Sequence, residues 1–202
     1  ICSIFFSGSC NMKCRYCHNP ELACNSSSLP TVKNEEALDY IRRRRGLIDG
    51  VSITGGEPTL SKNLSSFIHS LRDFGISVKL DTNGMNPGVM ESLLGDGLLD
   101  YVAIDIKTSP EKYGDLTGRP DAFPLIRRTV DIIRSSGTDY EVRTTCIPHY
   151  VTLKDLRAIF EKYALEKELA ATVRNPFEKH TIQGEGEDAE DGQPFNAENW
   201  AK

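Results

Sequence analysis

The chain has 202 residues, 39% of them hydrophobic, and a formal net charge of −5 at pH 7. This length supplies one sizeable core, and no apolar run is long enough for a membrane span or a signal peptide. Residues 181–202 carry six acidic side chains against one lysine, which leaves 23 acidic and 23 basic side chains in residues 1–180. An electrically balanced body excludes the charge pattern of a nucleic-acid-binding protein. We therefore predict a cytoplasmic protein with a core of residues 1–180, a mobile acidic tail of residues 181–202, and no nucleic-acid or membrane partner.

Strands and helices alternate along the whole core. The chain opens in an apolar strand at residues 1–7, and we expect natural residues to precede Ile1. Further strands are predicted at residues 50–54, 76–82, 100–106, 139–147 and 169–174. Helices are predicted at residues 33–45, 60–74, 87–95, 121–136 and 152–164. This alternation indicates a parallel sheet with right-handed crossovers, either open or curved into a barrel.

Three of the predicted strands each carry one polar face. Lys79 and Asp81 share a face of the third strand, Asp105 and Lys107 share a face at the end of the fourth, and Arg143 lies on the fifth. A closed eight-stranded barrel fills its interior with branched apolar side chains. The pattern therefore favours an α/β fold that is a partial six-unit barrel, (β/α)6, with parallel strands and a polar lumen.

Three cysteines form the most specific motif of the sequence. Cys10, Cys14 and Cys17 have the spacing C-x3-C-x2-C without a fourth cysteine to complete it. Ferredoxin clusters and structural zinc sites close with four protein ligands, so three thiolates leave one metal position open for chemistry. The alternatives are a disulfide with a spare thiol and a zinc site completed by His18. We interpret three scattered cysteines as non-ligands in a reducing compartment: Cys2, Cys24 and Cys146.

The other candidate site residues follow the predicted strands. Thr-Gly-Gly-Glu-Pro occupies residues 54–58, Asp-Thr-Asn-Gly occupies residues 81–84, and Asp-Ile-Lys occupies residues 105–107. Parallel α/β folds gather functional residues at the carboxyl ends of their strands. The two glycines allow a backbone to approach a ligand closely, and the carboxylate that follows can receive a cation.

The cysteine spacing, with Tyr16 before the third cysteine, resembles the signature of the radical S-adenosylmethionine (SAM) enzymes. Cys-His-Asn-Pro-Glu at residues 17–21, together with the segments at residues 81–84 and 105–107, resembles one branch of that superfamily. This branch contains the activating enzymes of glycyl radical enzymes, such as the activators of anaerobic ribonucleotide reductase and of pyruvate formate-lyase. The resemblance covers about residues 1–175 and implies the same partial barrel.

The resemblance also implies cofactors and their ligands. Cys10, Cys14 and Cys17 would hold a 4Fe–4S cluster whose open iron binds SAM. The SAM-binding residues implied are Tyr16, Gly55, Gly56, Glu57, Asp81, Asn83, Lys107 and Arg143. Lys107 and Arg143 would contact the SAM carboxylate or ribose. A monovalent cation beside SAM would be held by Asp81, Thr82 and Asp105.

The implied activity is reductive cleavage of SAM to methionine and a radical that removes hydrogen from a glycine of a partner enzyme. The electron would come from a low-potential donor such as flavodoxin or ferredoxin. Two departures from the family pattern stand out. Glu178 occupies the place of a family histidine, with His180 two residues on. Residues 18–50 contain only one cysteine, Cys24, so no auxiliary cluster is expected. The alternatives are a radical SAM enzyme acting on a small molecule, similar to 7-carboxy-7-deazaguanine synthase, and a redox carrier or iron sensor without catalysis.

Overall fold

The computed structural model describes residues 1–148 and 150–165, together with the backbone of three short strands beyond them. Six strands form one parallel sheet in sequence order. They are β1 (Cys2–Ser7), β2 (Gly50–Gly55), β3 (Ser77–Thr82), β4 (Tyr101–Asp105), β5 (Asp139–Thr145) and β6 (Val173–Arg174). A separate antiparallel pair consists of β7 (Gly186–Glu187) and β8 (Pro194–Phe195). Of the strand predicted at residues 169–174, the last two residues form β6 and residues 169–172 lie outside the described residues. The side chains of Glu178, His180 and the acidic tail lie outside them as well.

Seven α-helices occur among the described residues. They are α1 (Pro20–Cys24), α2 (Asn34–Arg43), α3 (Leu64–Asp73), α4 (Pro87–Gly95), α5 (Tyr113–Thr117), α6 (Ala122–Ser136) and α7 (Leu153–Tyr163). The predicted alternation of strands and helices is confirmed. The helices α1 and α5 were not predicted, because five residues are too few to show a helical period. None of the described helices is long and apolar enough to cross a membrane.

The two faces of the sheet have different roles. On the outer face, Val51, Val78 and Leu80 are buried against the helices, and Phe5 makes an edge-to-face contact with Phe67 of α3 at a centroid distance of 5.7 Å. The alternate residues of each strand face the inside of the curve. Among the described strands β1 and β6 are not paired with each other, so the barrel is open. The predicted partial barrel with a polar lumen is confirmed.

The start of the last long helix is held by a buried carboxylate. Thr152 and Asp155 form a capping box at the beginning of α7. The Asp155 carboxylate also accepts hydrogen bonds from Ser109 Oγ at 2.8 Å and from Lys112 Nζ at 2.6 Å. Burial alone would raise the pKa of Asp155, but the hydrogen bonds from Lys112 and Thr152 outweigh it and lower that pKa. Asp155 therefore ties α7 to the connection that follows β4.

Replacing Asp155 by Asn is expected to lower the free energy of unfolding at neutral pH by about 1–2 kcal/mol, because a cap and a buried charge-assisted hydrogen bond are lost. A carboxyl whose pKa is lowered by folding stabilises the protein above its unfolded pKa of about 3.9, and this contribution disappears as the pH falls. The difference between wild type and Asp155→Asn should therefore shrink when urea unfolding is measured at progressively lower pH below about 5. The exposed Asp73→Asn is the matched control, and a constant difference at all pH values would contradict the assignment.

Candidate active site

The carboxyl ends of the strands surround one cavity with a volume of about 740 Å³. Twelve of the thirteen predicted site residues line this cavity, including all three cysteines of the motif. The thirteenth, Arg143, lies behind the cavity wall, with its Nε 2.7 Å from Asp105 Oδ1 and its Nη2 3.4 Å from Asp81 Oδ2. The chain thus brings together residues that are separated by up to 133 positions in sequence.

The loop that follows β1 and carries the three cysteines, here called the cysteine loop, is held by hydrogen bonds to the segment around α5. The backbone N–H of Lys13 donates to Thr117 O at 2.8 Å, and the N–H of Arg15 donates to Leu116 O at 3.1 Å. Arg119 Nη1 donates to Asn11 O at 3.1 Å. Sequence reasoning missed this support, because main-chain contacts between distant loops leave no residue pattern.

The two glycines after β2 allow a close approach between two backbones. Gly56 N–H donates to Ser7 O at 2.8 Å, and Glu57 N–H donates to Ser9 O at 2.8 Å. A Cβ added to Gly55 would lie 2.4 Å from Ser7 O, and one added to Gly56 would lie 2.0 Å from Ser9 O. No side chain fits there, so both glycines are required by the contact with the start of the cysteine loop, whatever ligand the cavity holds.

The Glu57 carboxylate bonds to neighbouring protein groups. Its side chain is buried, with 1% of the residue exposed. It accepts hydrogen bonds from Thr59 Oγ1 at 2.5 Å, Thr82 Oγ1 at 2.8 Å and Asn83 N at 2.7 Å. Burial raises the pKa of Glu57, although the hydrogen bonds from these donors act to lower it. Glu57 therefore connects the loop after β2 to the loop after β3.

Charged side chains form the floor of the lumen. Arg143 contacts Asp105, Asp81 and, at 3.6 Å, Glu141 Oε1. Lys107 Nζ lies 3.1 Å from Asp105 Oδ2. Burial would raise the pKa of Asp105, but the positive charges of Lys107 and Arg143 hold it below its usual value. Asp81 and Asp105 are therefore paired with basic side chains in this structure, while their predicted role as cation ligands stays a prediction.

A second lysine extends the ionic network. Lys79 Nζ lies 3.1 Å from Glu141 Oε1 and 3.6 Å from Asp81 Oδ1. Three basic and three acidic side chains thus face one another, and their formal charges cancel. The Oδ1 atom of Asp81 is buried without a hydrogen-bond partner among the described residues.

Two tyrosines fix the main chain of Lys107. Tyr16 Oη donates to Lys107 O at 3.1 Å, and Lys107 N–H donates to Tyr113 Oη at 2.9 Å. Burial raises the pKa of both phenols, so each stays protonated at neutral pH. Tyr113 was not identified from the sequence, since nothing near it indicates that α5 returns to the site.

All three cysteines of the motif line the cavity. Among residues 1–148 and 150–165, no three His, Cys, Asp or Glu side chains gather as ligands of a single metal ion. A 4Fe–4S cluster held by three cysteines takes one thiolate on each of three irons, and the three cysteines are the ligands that this cavity could supply. Burial raises the pKa of Cys10, and it raises the pKa of Cys14 to about 11, so both thiols lose a proton when they bind iron.

The described residues form an open parallel α/β barrel with three cysteines and paired charges around one cavity. Comparison with known families gives the class a name. The model of the Radical SAM superfamily matches residues 4–163, and the chain belongs to this superfamily. Membership implies a 4Fe–4S cluster and SAM as cofactors, which the cysteine set and the cavity fit.

Known proteins similar to this chain differ in what they do. A Methanocaldococcus jannaschii protein, named as a candidate glycyl-radical enzyme activating enzyme, is 33% identical over 163 residues, which are 78% of this chain and 66% of that protein. A GTP 3′,8-cyclase of Alkaliphilus oremlandii is 31% identical over 146 residues, covering 70% of this chain and 45% of the cyclase. The chain thus spans about half to two thirds of the length of these relatives.

Among solved structures, the protein anSMEcpe with bound AdoMet superposes with a TM-score of 0.64. It is 16% identical, and the match covers 91% of this chain and 54% of that protein. At this identity the likeness shows the fold alone. It supports the partial barrel in which the two ends of the sheet do not meet.

Proposed function

We propose that this chain activates a glycyl radical enzyme by generating a glycyl radical on that partner protein. The observation that carries the proposal is the 33% identity, over 163 residues, to a protein named as an activating enzyme of this type. The segments at residues 17–21, 81–84 and 105–107 support it, because they resemble the same branch of the superfamily. A core of residues 1–180 and a cytoplasmic location stay predictions.

Cys10, Cys14 and Cys17 would hold the cluster. When bound, the cluster supplies the electron that cleaves SAM and so produces the radical that removes hydrogen from glycine. The protein's part is to bind and orient SAM and to keep water away. The main chain at Gly55 and Gly56 would face the SAM amino group.

The remaining SAM contacts come from the fourth and fifth strands and the cysteine loop. Lys107 and Arg143 would bind the SAM carboxylate or ribose through charge-assisted hydrogen bonds. Asp81, Thr82 and Asp105 would hold a monovalent cation if Arg143 exchanges its carboxylate partners for SAM. Tyr16 would pack against the adenine.

The open edge of the sheet supports a protein substrate. Ile4 is 57% exposed and Phe6 is 60% exposed. They pair in register with Ser52 and Thr54, and Thr54 lines the cavity. Two exposed apolar side chains therefore lie on the edge strand next to a strand that lines the cavity, and we expect a glycine-bearing loop of a partner to enter from this edge.

A radical SAM reaction on a small molecule is the second candidate, and the 31% identity to a GTP 3′,8-cyclase favours it. The external electron donor is proposed to be flavodoxin or ferredoxin in either case. Because residues 1–180 are neutral, docking of a protein partner should depend only weakly on salt.

The deciding experiment mixes the reduced, reconstituted protein with SAM and the glycyl radical enzyme of the same organism under anaerobic conditions. We expect a glycyl radical signal by electron paramagnetic resonance in the partner, with about one deoxyadenosine formed per radical. The partner with its radical glycine replaced by alanine is the control and should give no signal. Turnover of SAM on a small heterocycle, with every candidate partner left without a radical, would support the second candidate instead.

A further inference from the structure

The side-chain amide of Asn83 lies between the loop after β3 and the cysteine loop. Its main chain is fixed by Glu57, whose Oε2 accepts the Asn83 N–H at 2.7 Å. Its side-chain Oδ1 accepts the N–H of Met85 at 3.0 Å. Since a backbone N–H can bond only the oxygen of an amide, this contact identifies which end of the side chain is the NH₂ group.

That NH₂ group faces the cysteine loop. Asn83 Nδ2 donates to Asn11 Oδ1 at 2.7 Å and lies 3.8 Å from Cys10 Sγ, within the range of an N–H···S hydrogen bond. The same sulfur accepts the backbone N–H of Met12 at 3.4 Å. Cys10 therefore receives a main-chain donor from its own loop and a side-chain donor from the neighbouring strand.

We propose that Asn83 is a positioning residue for Cys10, and that its amide raises the reduction potential of the cluster that Cys10 binds. Hydrogen bonds to cysteine sulfur stabilise the additional negative charge of a reduced iron–sulfur cluster. The hydrogen bond to Asn11 holds the cysteine loop in place, and the second N–H of the same amide lies against Cys10 Sγ. This role differs from the SAM-binding role that the family resemblance implies for Asn83, and it rests on the proposed ligation of the cluster by Cys10.

Glu57 supports this arrangement from the other side. Its carboxylate binds Thr59, Thr82 and the main chain of Asn83, all within the protein. The loop after β3 is therefore fixed before any ligand enters the cavity. The donor to Cys10 is preorganised, and it should act on the cluster in the absence of SAM.

The test measures the reduction potential of the reconstituted cluster without SAM in Asn83→Ala and in the matched control Asn86→Ala. Asn86 lies three residues on and donates to Thr59 Oγ1 at 2.7 Å, so it belongs to the same polar network without contacting sulfur. We expect wild-type iron content in both variants, a more negative potential in Asn83→Ala, and an unchanged potential in Asn86→Ala.

Two outcomes would overturn the proposal. One is a wild-type potential in Asn83→Ala, including the case in which only SAM affinity falls, which would make Asn83 a SAM ligand. The other is an equal shift in both variants, which would trace the effect to the network as a whole. If Asn83→Ala does not assemble a cluster, Asn83→Ser decides, because its hydroxyl keeps an oxygen near Met85 N–H, adds no charge, and is too short to place a donor on Cys10 Sγ. Iron content in variants such as Cys14→Ala tests whether the cysteines bind the cluster, and the glycyl radical signal of the partner tests the proposed activity. A failure of the Asn83 proposal can therefore be told apart from a failure of either of these.

Discussion

Cys14→Ala is expected to abolish cluster assembly, whereas the wild-type protein should take up about four irons per chain after anaerobic reconstitution. Cys14 lines the cavity, and it is the middle cysteine of the motif in sequence. Burial raises the pKa of its thiol to about 11, so iron must displace a proton there, and no other described cysteine lines the cavity besides Cys10 and Cys17. Iron and sulfide analysis with the visible spectrum measures the effect.

Two further cysteines serve as matched controls. Cys24 is exposed on α1. Cys146 follows β5 and packs beside the core, and burial raises the pKa of its thiol to about 12. Cys24→Ala and Cys146→Ala should retain wild-type iron content. Loss of iron in Cys24→Ala, to the degree seen in Cys14→Ala, would show that the ligand set is assigned wrongly.

Arg143→Ala is expected to lower the free energy of unfolding by about 3 kcal/mol, since it removes the cation shared by Asp105, Asp81 and Glu141 and leaves half-buried carboxylates without it. Lys107→Ala removes one ion pair, with Asp105, and should cost about 1 kcal/mol or less. Urea unfolding of the two variants side by side measures this difference.

The loss of Lys107 should affect SAM binding more than it affects stability. Lys107 lines the cavity, and loss of a charge-assisted contact to a carboxylate weakens binding about tenfold or more. Lys107→Ala should therefore lose SAM affinity, measured by anaerobic calorimetry, out of proportion to its small loss of stability. Wild-type SAM affinity in Lys107→Ala would assign this lysine a structural role only.

The fold was predictable because the sequence repeats one kind of unit. Apolar strands and helices of ordinary length alternate, and polar residues at every second position of β3 and β5 indicated which face lines the lumen. Boundaries were less predictable. The helix predicted at residues 60–74 begins at Leu64, because the Glu57 carboxylate caps a separate turn at Pro58–Leu60.

The location of the candidate site was also predictable, and the contacts of its residues were not. The motifs predicted that the cysteines and the residues at the strand ends lie close together, and the structure has them around one cavity. Sequence alone could not show that Glu57 bonds to Thr82 and Asn83, since this depends on how two loops meet in space. Arg119 and Tyr113 were missed for the same reason, because their partners in the site are main-chain atoms of distant residues.

The contact of Gly55 and Gly56 with Ser7 and Ser9 has a consequence for the order of assembly. The start of the cysteine loop takes its shape from hydrogen bonds to a segment more than 40 residues away, so it cannot form before β1 and β2 are paired in register. Pairing of these two strands is a non-local step of folding. We therefore expect cluster uptake to follow the pairing of β1 with β2, because the cysteines are not arranged to receive a cluster before that contact forms.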